Sequence, residues 1–183
     1  MRRLSLQALF IASIVAFPVC GAAADQPPTV TPEGAAPLAR AAQASRTHLL
    51  GAVDLYDVAV YIDGLVRDRE RLISSDVPKA LRIDVTYVDD LRRQMPIDWQ
   101  RELVPVLMAP ATAHLRGAFA PLRRGDVVLV EYVPGKGTTV RVNKAVSVSN
   151  ANHDLMLAFL DHWLGQRPVS EEMKQTLVGA QSR

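Results

Sequence analysis

The chain has 183 residues, a formal net charge of +2 and a single cysteine. Arg2 and Arg3 precede the predicted mature chain, and without them the acidic and basic side chains balance. This balance gives no reason to expect binding to nucleic acid or to a membrane surface. A chain of this length can bury a core large enough to fold as one domain without disulfides.

Residues 1–24 have the pattern of a secretory signal peptide. Met1–Arg3 is basic, residues 4–19 are apolar and too few to span a membrane, and Ala22–Ala24 supplies small residues for cleavage before Asp25. We therefore predict a periplasmic or secreted protein whose mature form has no membrane span.

The single cysteine, Cys20, lies inside this leader. Cleavage before Asp25 would leave a mature chain with no thiol, no disulfide and no cysteine-bound metal. A lipoprotein anchor at Cys20 is the alternative, although Val19 is larger than the residue expected before a lipid-modified cysteine.

The first part of the mature chain is predicted to be mainly extended. Residues 25–37 are rich in Pro, Gly and Thr and are predicted to form a flexible N-terminal arm. Residues 38–45 are compatible with a short helix or an edge strand. Residues 46–64 predict a strand buried on both faces, because their apolar side chains do not alternate cleanly. Gly51 indicates a bulge or a turn within this stretch.

A charged helical segment and a half-buried strand follow. Residues 67–74 are predicted to be helical, and the segment ends at Pro78 because proline disfavours helix in the residue before it. Residues 80–88 alternate as a strand does. The alternation sets Leu81, Ile83 and Val85 on one face and Arg82, Asp84 and Thr86 on the other.

Two helices are predicted in the middle of the chain. Apolar side chains recur at every fourth position in residues 89–107, although Pro96 should split or kink this segment. Residues 111–122 predict a second, weaker helix. Helices between runs of strands favour an antiparallel sheet covered on one face by helices, which is an α+β fold.

A hairpin and two further helices complete the chain. Residues 127–133 and 138–142 predict two strands joined by the turn at Pro134–Gly137, and residues 146–148 predict a further short strand. Helices are then predicted over 152–164, with Asn150 or Asn152 as the N-cap and Gly165 at the C-terminal end, and from Ser170 to Gly179. Residues 180–183 should fray.

Arg46, Tyr56 and Tyr61 are the candidate ligand-binding residues. A guanidinium and two phenols stand among apolar strand residues, and an apolar slot with a few polar groups is typical of a site for a small amphipathic ligand. The guanidinium presents a flat fork of donors that suits a carboxylate. The alternatives are a surface arginine at a strand end and tyrosines that serve for packing.

Other motifs do not predict a site. The four histidines have no helical ligand spacing, so neither a metal nor a cofactor is expected. Gly135–Thr139 has glycine and lysine in the manner of a phosphate loop, but the flanking strands favour a hairpin turn. Asp161-His162 lacks the nucleophile of a catalytic triad.

Three segments together resemble the chalcone isomerase-like family, specifically its bacterial exported branch. They are residues 46–61, residues 125–140 and the end of the chain from Phe159 to Gly179. The resemblance covers residues 38–179, and it implies an open-faced β-sandwich with a cleft between an antiparallel sheet and a layer of helices.

The resemblance implies two activities for such a cleft. Plant members isomerise a chalcone to a flavanone, and other relatives bind fatty acids through an arginine and a tyrosine. Arg46 falls where the family has its functional arginine, and Tyr56 falls near a catalytic threonine of the plant enzymes. The plant tyrosine and asparagine have no counterpart in Met95–Glu102, and Ala145 falls near a threonine or serine that tunes substrate choice.

These observations lead to three hypotheses. The first is an exported protein that binds a fatty acid or a similar amphipathic acid, with Arg46 and Tyr56 at its polar end. The second is an isomerase acting on a chalcone-like enone, in which Arg46 stabilises the developing oxyanion. The third is a structural or partner-binding domain without a ligand.

Overall fold

The computed structural model describes residues 26–48, 53–63, 69–86 and 122–179. Within these ranges, seven strands form one antiparallel sheet in which each strand pairs with its neighbours in the chain. The strands are β1 (Thr29–Val30), β2 (Leu38–His48), β3 (Val53–Ile62), β4 (Lys79–Val85), β5 (Val127–Val133), β6 (Gly137–Val142) and β7 (Ala145–Asn150). The helices described are α1 (Arg69–Ser74), α2 (Asp154–Leu164) and α3 (Glu171–Gly179).

This is the predicted α+β architecture, an open-faced β-sandwich with helices on one face of an antiparallel sheet. The strands predicted over 80–88, 127–133 and 138–142 are confirmed as β4, β5 and β6. Residues 38–45 belong to a strand rather than a helix, and that strand lies second in the sheet, beside β1.

Several predicted segments lie outside the described residues. These are the signal peptide over 1–24, the helix over 89–107, most of the helix over 111–122 and the tail over 180–183. Leu122, at the end of the second of these helices, is described and is buried in the core.

Strand β3 lies in the interior of the sheet and has both of its faces covered. Every residue from Leu55 to Ile62 is buried, which confirms, for this part of residues 46–64, the predicted strand buried on both faces. Because side chains alternate along a strand, Tyr56 and Val58 contribute to a large core on one face, and Ala59 and Tyr61 contribute to a smaller cluster on the other.

The large core lies on the face of the sheet that the helices cover, which we call the helix face. Helix α2 contributes six buried side chains, which are Leu155, Met156, Phe159, Leu160, Trp163 and Leu164. Helix α3 packs on β2, where the buried side chains of Ala42 and Ala44 are only methyl groups. Small residues at these positions let a helix approach the strand closely.

Polar side chains fix the beginnings of α2 and α3. The Ser170 hydroxyl accepts a 3.2 Å hydrogen bond from the backbone N–H of Met173, so Ser170 is the predicted N-cap of α3. At α2 the predicted N-cap, Asn150 or Asn152, was wrong, because His153 occupies the cap position without a side-chain hydrogen bond there. The Asn152 side chain accepts from the backbone N–H of Asp154 instead.

The opposite face of the sheet, which we call the arm face, is contacted by the start of the N-terminal arm, where Gln26 donates to Asp84 and the Pro27 carbonyl accepts from Tyr61. The β1 strand of the arm then extends the sheet beside β2 through Thr29↔Ala39 and Val30↔Leu38. The sequence predicts residues 25–37 as a flexible arm, and in the structure the described part of this arm is laid against the sheet. The domain limits taken from sequence remain a prediction.

Near the end of β2, a β-bulge interrupts the regular pairing of β2 with β3. Arg46 pairs with Tyr56 and Thr47 pairs with Asp54, so Leu55 has no opposite residue. An extra residue of this kind bends the strand and brings consecutive side chains toward one face. Leu55 and Tyr56 accordingly both belong to the helix-face core.

The β5–β6 hairpin has the predicted glycine-dependent turn. Gly135 and Gly137 have φ values of 75° and 88°, and residues with a Cβ rarely adopt this left-handed backbone conformation. A Cβ at Gly137 would also lie 2.1 Å from the carbonyl oxygen of Asn150. Gly135–Thr139 is therefore a hairpin and not a phosphate loop.

Candidate functional site

Arg46 and Tyr56 form the polar pair of the candidate site. They lie directly opposite each other on the adjacent antiparallel strands β2 and β3. Opposite residues of neighbouring strands project from the same face of a sheet. Since Tyr56 belongs to the helix-face core, the guanidinium and the phenol share that face.

The Tyr56 side chain packs against helix α2. Its ring is fully buried, and the Trp163 indole N–H donates a 3.3 Å hydrogen bond to its hydroxyl oxygen. The two rings meet edge to face at a centroid distance of 6.4 Å and an angle of 72°. Phe159 stacks on Trp163 at a centroid distance of 6.3 Å and an angle of 17°. Helix packing thus fixes the direction of the phenol.

Arg46 is partly buried near the end of β2. One of its terminal nitrogens donates a 3.1 Å hydrogen bond to the carbonyl oxygen of Thr47. A guanidinium has five N–H donors in a planar fork and keeps its charge at any ordinary pH. It is therefore suited to hold an anionic head group whose apolar tail lies among helix-face side chains.

Tyr61 does not belong to this constellation. It lies five residues beyond Tyr56, and an odd separation along a strand puts two side chains on opposite faces. Its ring joins the arm-face cluster, and its hydroxyl donates a 2.9 Å hydrogen bond to the Pro27 carbonyl. Burial raises the pKa of this phenol. A ligand role for Tyr61 stays a prediction, but such a ligand would lie apart from Arg46.

Sequence reasoning missed a buried lysine on the helix face. Lys79 is almost fully buried, and its ammonium donates to the carbonyl oxygens of Leu72 at 2.7 Å and Ser75 at 2.8 Å. These carbonyls belong to the C-terminal turn of α1 and the residue after it, so the side chain caps the helix. Burial lowers its pKa to about 8, against the opposing charge of Asp76. Strand alternation with Leu81 was the signal that could have placed it there.

Tyr132 connects this lysine to helix α2. Its hydroxyl donates to the Asp76 carboxylate, which together with burial raises the pKa of the phenol to about 12. The His153 ring stacks on Tyr132 at 4.1 Å, and burial beside the Lys79 charge lowers the pKa of His153. Neutral His153 and the other members of this group join α1, α2 and the sheet, so we assign the cluster to stability.

Ala145, which the resemblance places near a residue that tunes substrate choice in the plant enzymes, does not lie on the strands of Arg46 and Tyr56. Ala145 is exposed at the start of β7, in the hairpin at the far end of the strand order from β2. Met95–Glu102 lies outside the described residues, and its sequence contains neither tyrosine nor asparagine.

Among the residues that the structure describes, no group of three or more His, Cys, Asp or Glu side chains is arranged to hold a metal ion. No helix in the same ranges has the length and apolar character needed to cross a membrane.

Comparison with known proteins establishes the family. A family model described as chalcone isomerase-like matches residues 43–179, and the chain belongs to that family. No curated protein matches the chain. Among solved structures, it is similar to a fatty-acid binding protein of Arabidopsis thaliana, with a TM-score of 0.54 and 16% sequence identity. The alignment covers 84% of this chain and 98% of that one. At this identity the likeness shows the fold, which agrees with the architecture described above.

Proposed function

We propose that this protein binds a fatty acid or a similar amphipathic acid between the sheet and the helices, with Arg46 and Tyr56 at the carboxylate. The observation that carries the proposal is their direct opposition on β2 and β3, on the apolar helix face. The fatty-acid binding protein with the same fold supports this choice of ligand.

The chemistry of the pair suits a carboxylate. An arginine beside a carboxylate forms charge-assisted hydrogen bonds, which are shorter and about twice as strong as those between neutral groups. A buried tyrosine adds an O–H donor without a second charge. The surrounding Ala44, Val58 and Trp163 side chains are apolar or aromatic, so an acyl chain would find favourable contacts next to the polar head.

We also propose that the protein is exported, as a member of the bacterial exported branch of its family. This rests on the basic and apolar pattern of residues 1–24 and on the small residues before Asp25. The test is mass spectrometry of the protein recovered from the periplasm or the medium. A mature N-terminus at or near Asp25 supports export, and an intact leader on a cytoplasmic protein contradicts it.

Binding is tested with palmitate and three variants. Arg46→Ala removes the charge, Arg46→Lys keeps the charge but removes the planar fork, and Arg124→Ala removes a matched charge at an exposed turn. Lost charge-assisted hydrogen bonds should weaken palmitate binding roughly 10- to 100-fold in Arg46→Ala. The palmitate affinity of Arg46→Lys should lie between those of the wild type and Arg46→Ala, and Arg124→Ala should bind palmitate as the wild type does.

Lipid extraction from the purified protein provides an independent measurement. A fatty acid recovered in stoichiometric amount from the wild type, and lost from Arg46→Ala, supports the proposal. An empty wild-type protein that also fails to bind added palmitate contradicts it, as does an Arg46→Ala variant with unchanged affinity.

A further inference from the structure

The hydrogen bond between Trp163 and Tyr56 has a fixed donor and a fixed acceptor. An indole N–H can only donate, so the Tyr56 oxygen must be the acceptor in their 3.3 Å hydrogen bond. A phenol that accepts one hydrogen bond can still donate through its own O–H. The acceptor side of the Tyr56 hydroxyl is in this way engaged by a residue on a different element, α2.

The position of Trp163 is itself well determined. Only 1% of the residue is exposed, Phe159 stacks on it one helical turn earlier, and the His162 ring packs against its edge at 5.0 Å. A tryptophan in such surroundings has little freedom to rotate away. The indole N–H therefore points at the Tyr56 oxygen as a consequence of core packing.

Hydrogen bonding to the Tyr56 oxygen also affects the strength of the phenol as a donor. In a chain of hydrogen bonds each bond polarises the next, which strengthens donation from the O–H. A charged acceptor gains more from such a donor than a neutral one does. An acid should therefore benefit from the Trp163 contact more than an alcohol with the same acyl chain.

We propose that Trp163 is a positioning residue that orients the Tyr56 hydroxyl as a donor and thereby makes the site prefer a carboxylate over the corresponding alcohol. This inference rests on the proposed function. It goes beyond it by assigning selectivity for the head group to a residue of helix α2, which need not touch the ligand.

The test compares palmitate with hexadecan-1-ol in a double-mutant cycle of Trp163→Phe and Tyr56→Phe. One hydrogen bond corresponds to roughly a 2- to 10-fold change in dissociation constant. Trp163→Phe should weaken palmitate binding within that range and should change hexadecan-1-ol binding less than about 2-fold. In the Tyr56→Phe background, Trp163→Phe should have no further effect on palmitate.

Several outcomes would overturn the inference while leaving the proposed function intact. One is an equal loss for acid and alcohol in Trp163→Phe, which indicates packing alone. Another is a loss of palmitate binding that persists in the Tyr56→Phe background. If the wild type binds neither compound, the proposed function fails first and the inference falls with it.

A measurement without ligand checks the hydrogen bond itself. The chain has two tryptophans, so a Trp99→Phe variant leaves Trp163 as the source of the indole N–H signal in a ¹H–¹⁵N spectrum. Tyr56→Phe should shift that signal and speed its exchange with solvent, and an unchanged signal would overturn the inference. If Trp163→Phe does not fold, tryptophan can be replaced by its benzothiophene analogue in Trp99→Phe, which keeps the shape and removes the N–H.

Discussion

Two tyrosines of β3 show how far the role of a side chain depends on its position in the strand. Tyr56 and Tyr61 are both fully buried and have similar apolar neighbours in sequence. Tyr56 lies under helix α2 beside Arg46, and Tyr61 lies under the arm beside Pro27. Composition alone could not separate them, but their odd spacing could have done so.

Replacing Tyr61 with Phe tests this separation. The change removes the hydrogen bond to the Pro27 carbonyl, so it should lower the free energy of unfolding by about 1 kcal/mol. Palmitate affinity should stay unchanged, because the ring lies on the arm face. Urea unfolding and a palmitate titration measure the two effects. A weaker palmitate complex with unchanged stability would instead support a ligand role for Tyr61.

Lys79 should make stability depend on pH in the alkaline range. Its pKa is about 8 in the folded protein and 10.5 as an ordinary lysine. Between these pH values the unfolded chain holds a proton that the folded chain has released. The free energy of unfolding should therefore rise with pH across this window, by at most about 1.4 kcal/mol per pH unit.

The measurement is urea unfolding of the wild type and Lys79→Met at pH 7.5, 8.5 and 9.5. The free energy of unfolding of the wild type, relative to that of Lys79→Met, should increase as the pH rises. Parallel curves would contradict the lowered pKa. The measurements stay below pH 10 because Tyr132 also affects stability above it. Its pKa is about 12 in the folded protein, against 10.0 for an ordinary tyrosine. Its contribution to the free energy of unfolding is therefore lost as the pH rises above 10.

The sequence predicted an N-terminal arm, but it did not reveal that the arm is attached to the sheet. Proline and glycine marked residues 25–37 as loose, but Gln26 is 2% exposed and donates to the Asp84 carboxylate. Arg82 holds the same carboxylate with two nitrogens, at 2.9 Å and 2.7 Å. Arg40 donates to the Gln26 carbonyl at 2.6 Å. Gln26 and Asp84 are 58 residues apart, and a contact so distant in sequence leaves no local pattern to detect.

Gln26→Ala tests whether these contacts hold the arm. Loss of a buried donor to a carboxylate should lower the free energy of unfolding by about 1 to 3 kcal/mol. It should also speed hydrogen exchange at the Arg40 amide, which donates to the Pro28 carbonyl at 2.8 Å. Thr29→Ala changes an exposed arm residue and serves as the control. Equal losses of stability in Gln26→Ala and Thr29→Ala would contradict a role for Gln26 in holding the arm. Neither change should alter palmitate affinity.

Elements with a strong local pattern and the α+β arrangement were predicted well, but the register between strands was not. Residues 127–133 are strongly apolar and are followed by turn residues, so their strand was predicted with its observed limits. The register that sets Arg46 against Tyr56 depends on a bulge at Leu55. The sequence pointed to Gly51, which lies outside the described residues. Register is decided by tertiary pairing, and a single strand does not contain that information.

At the scale of the molecule, the sheet separates two kinds of chemistry. The helix face carries the apolar core with Arg46 and Tyr56 near one end. The arm face carries paired charges, including Arg82 with Asp84 and Arg141 with Glu131 at 2.9 Å. Paired charges hold the arm and offer no slot for an acyl chain, whereas the helix face combines an apolar surface with a charged head-group anchor.

The most direct test of this account is a crystal structure of the protein with palmitate. We predict a carboxylate within hydrogen-bonding distance of the Arg46 guanidinium and the Tyr56 hydroxyl, with the acyl chain between the sheet and the helices. Palmitate bound on the arm face, or on the helix face with its carboxylate away from Arg46, would contradict the account.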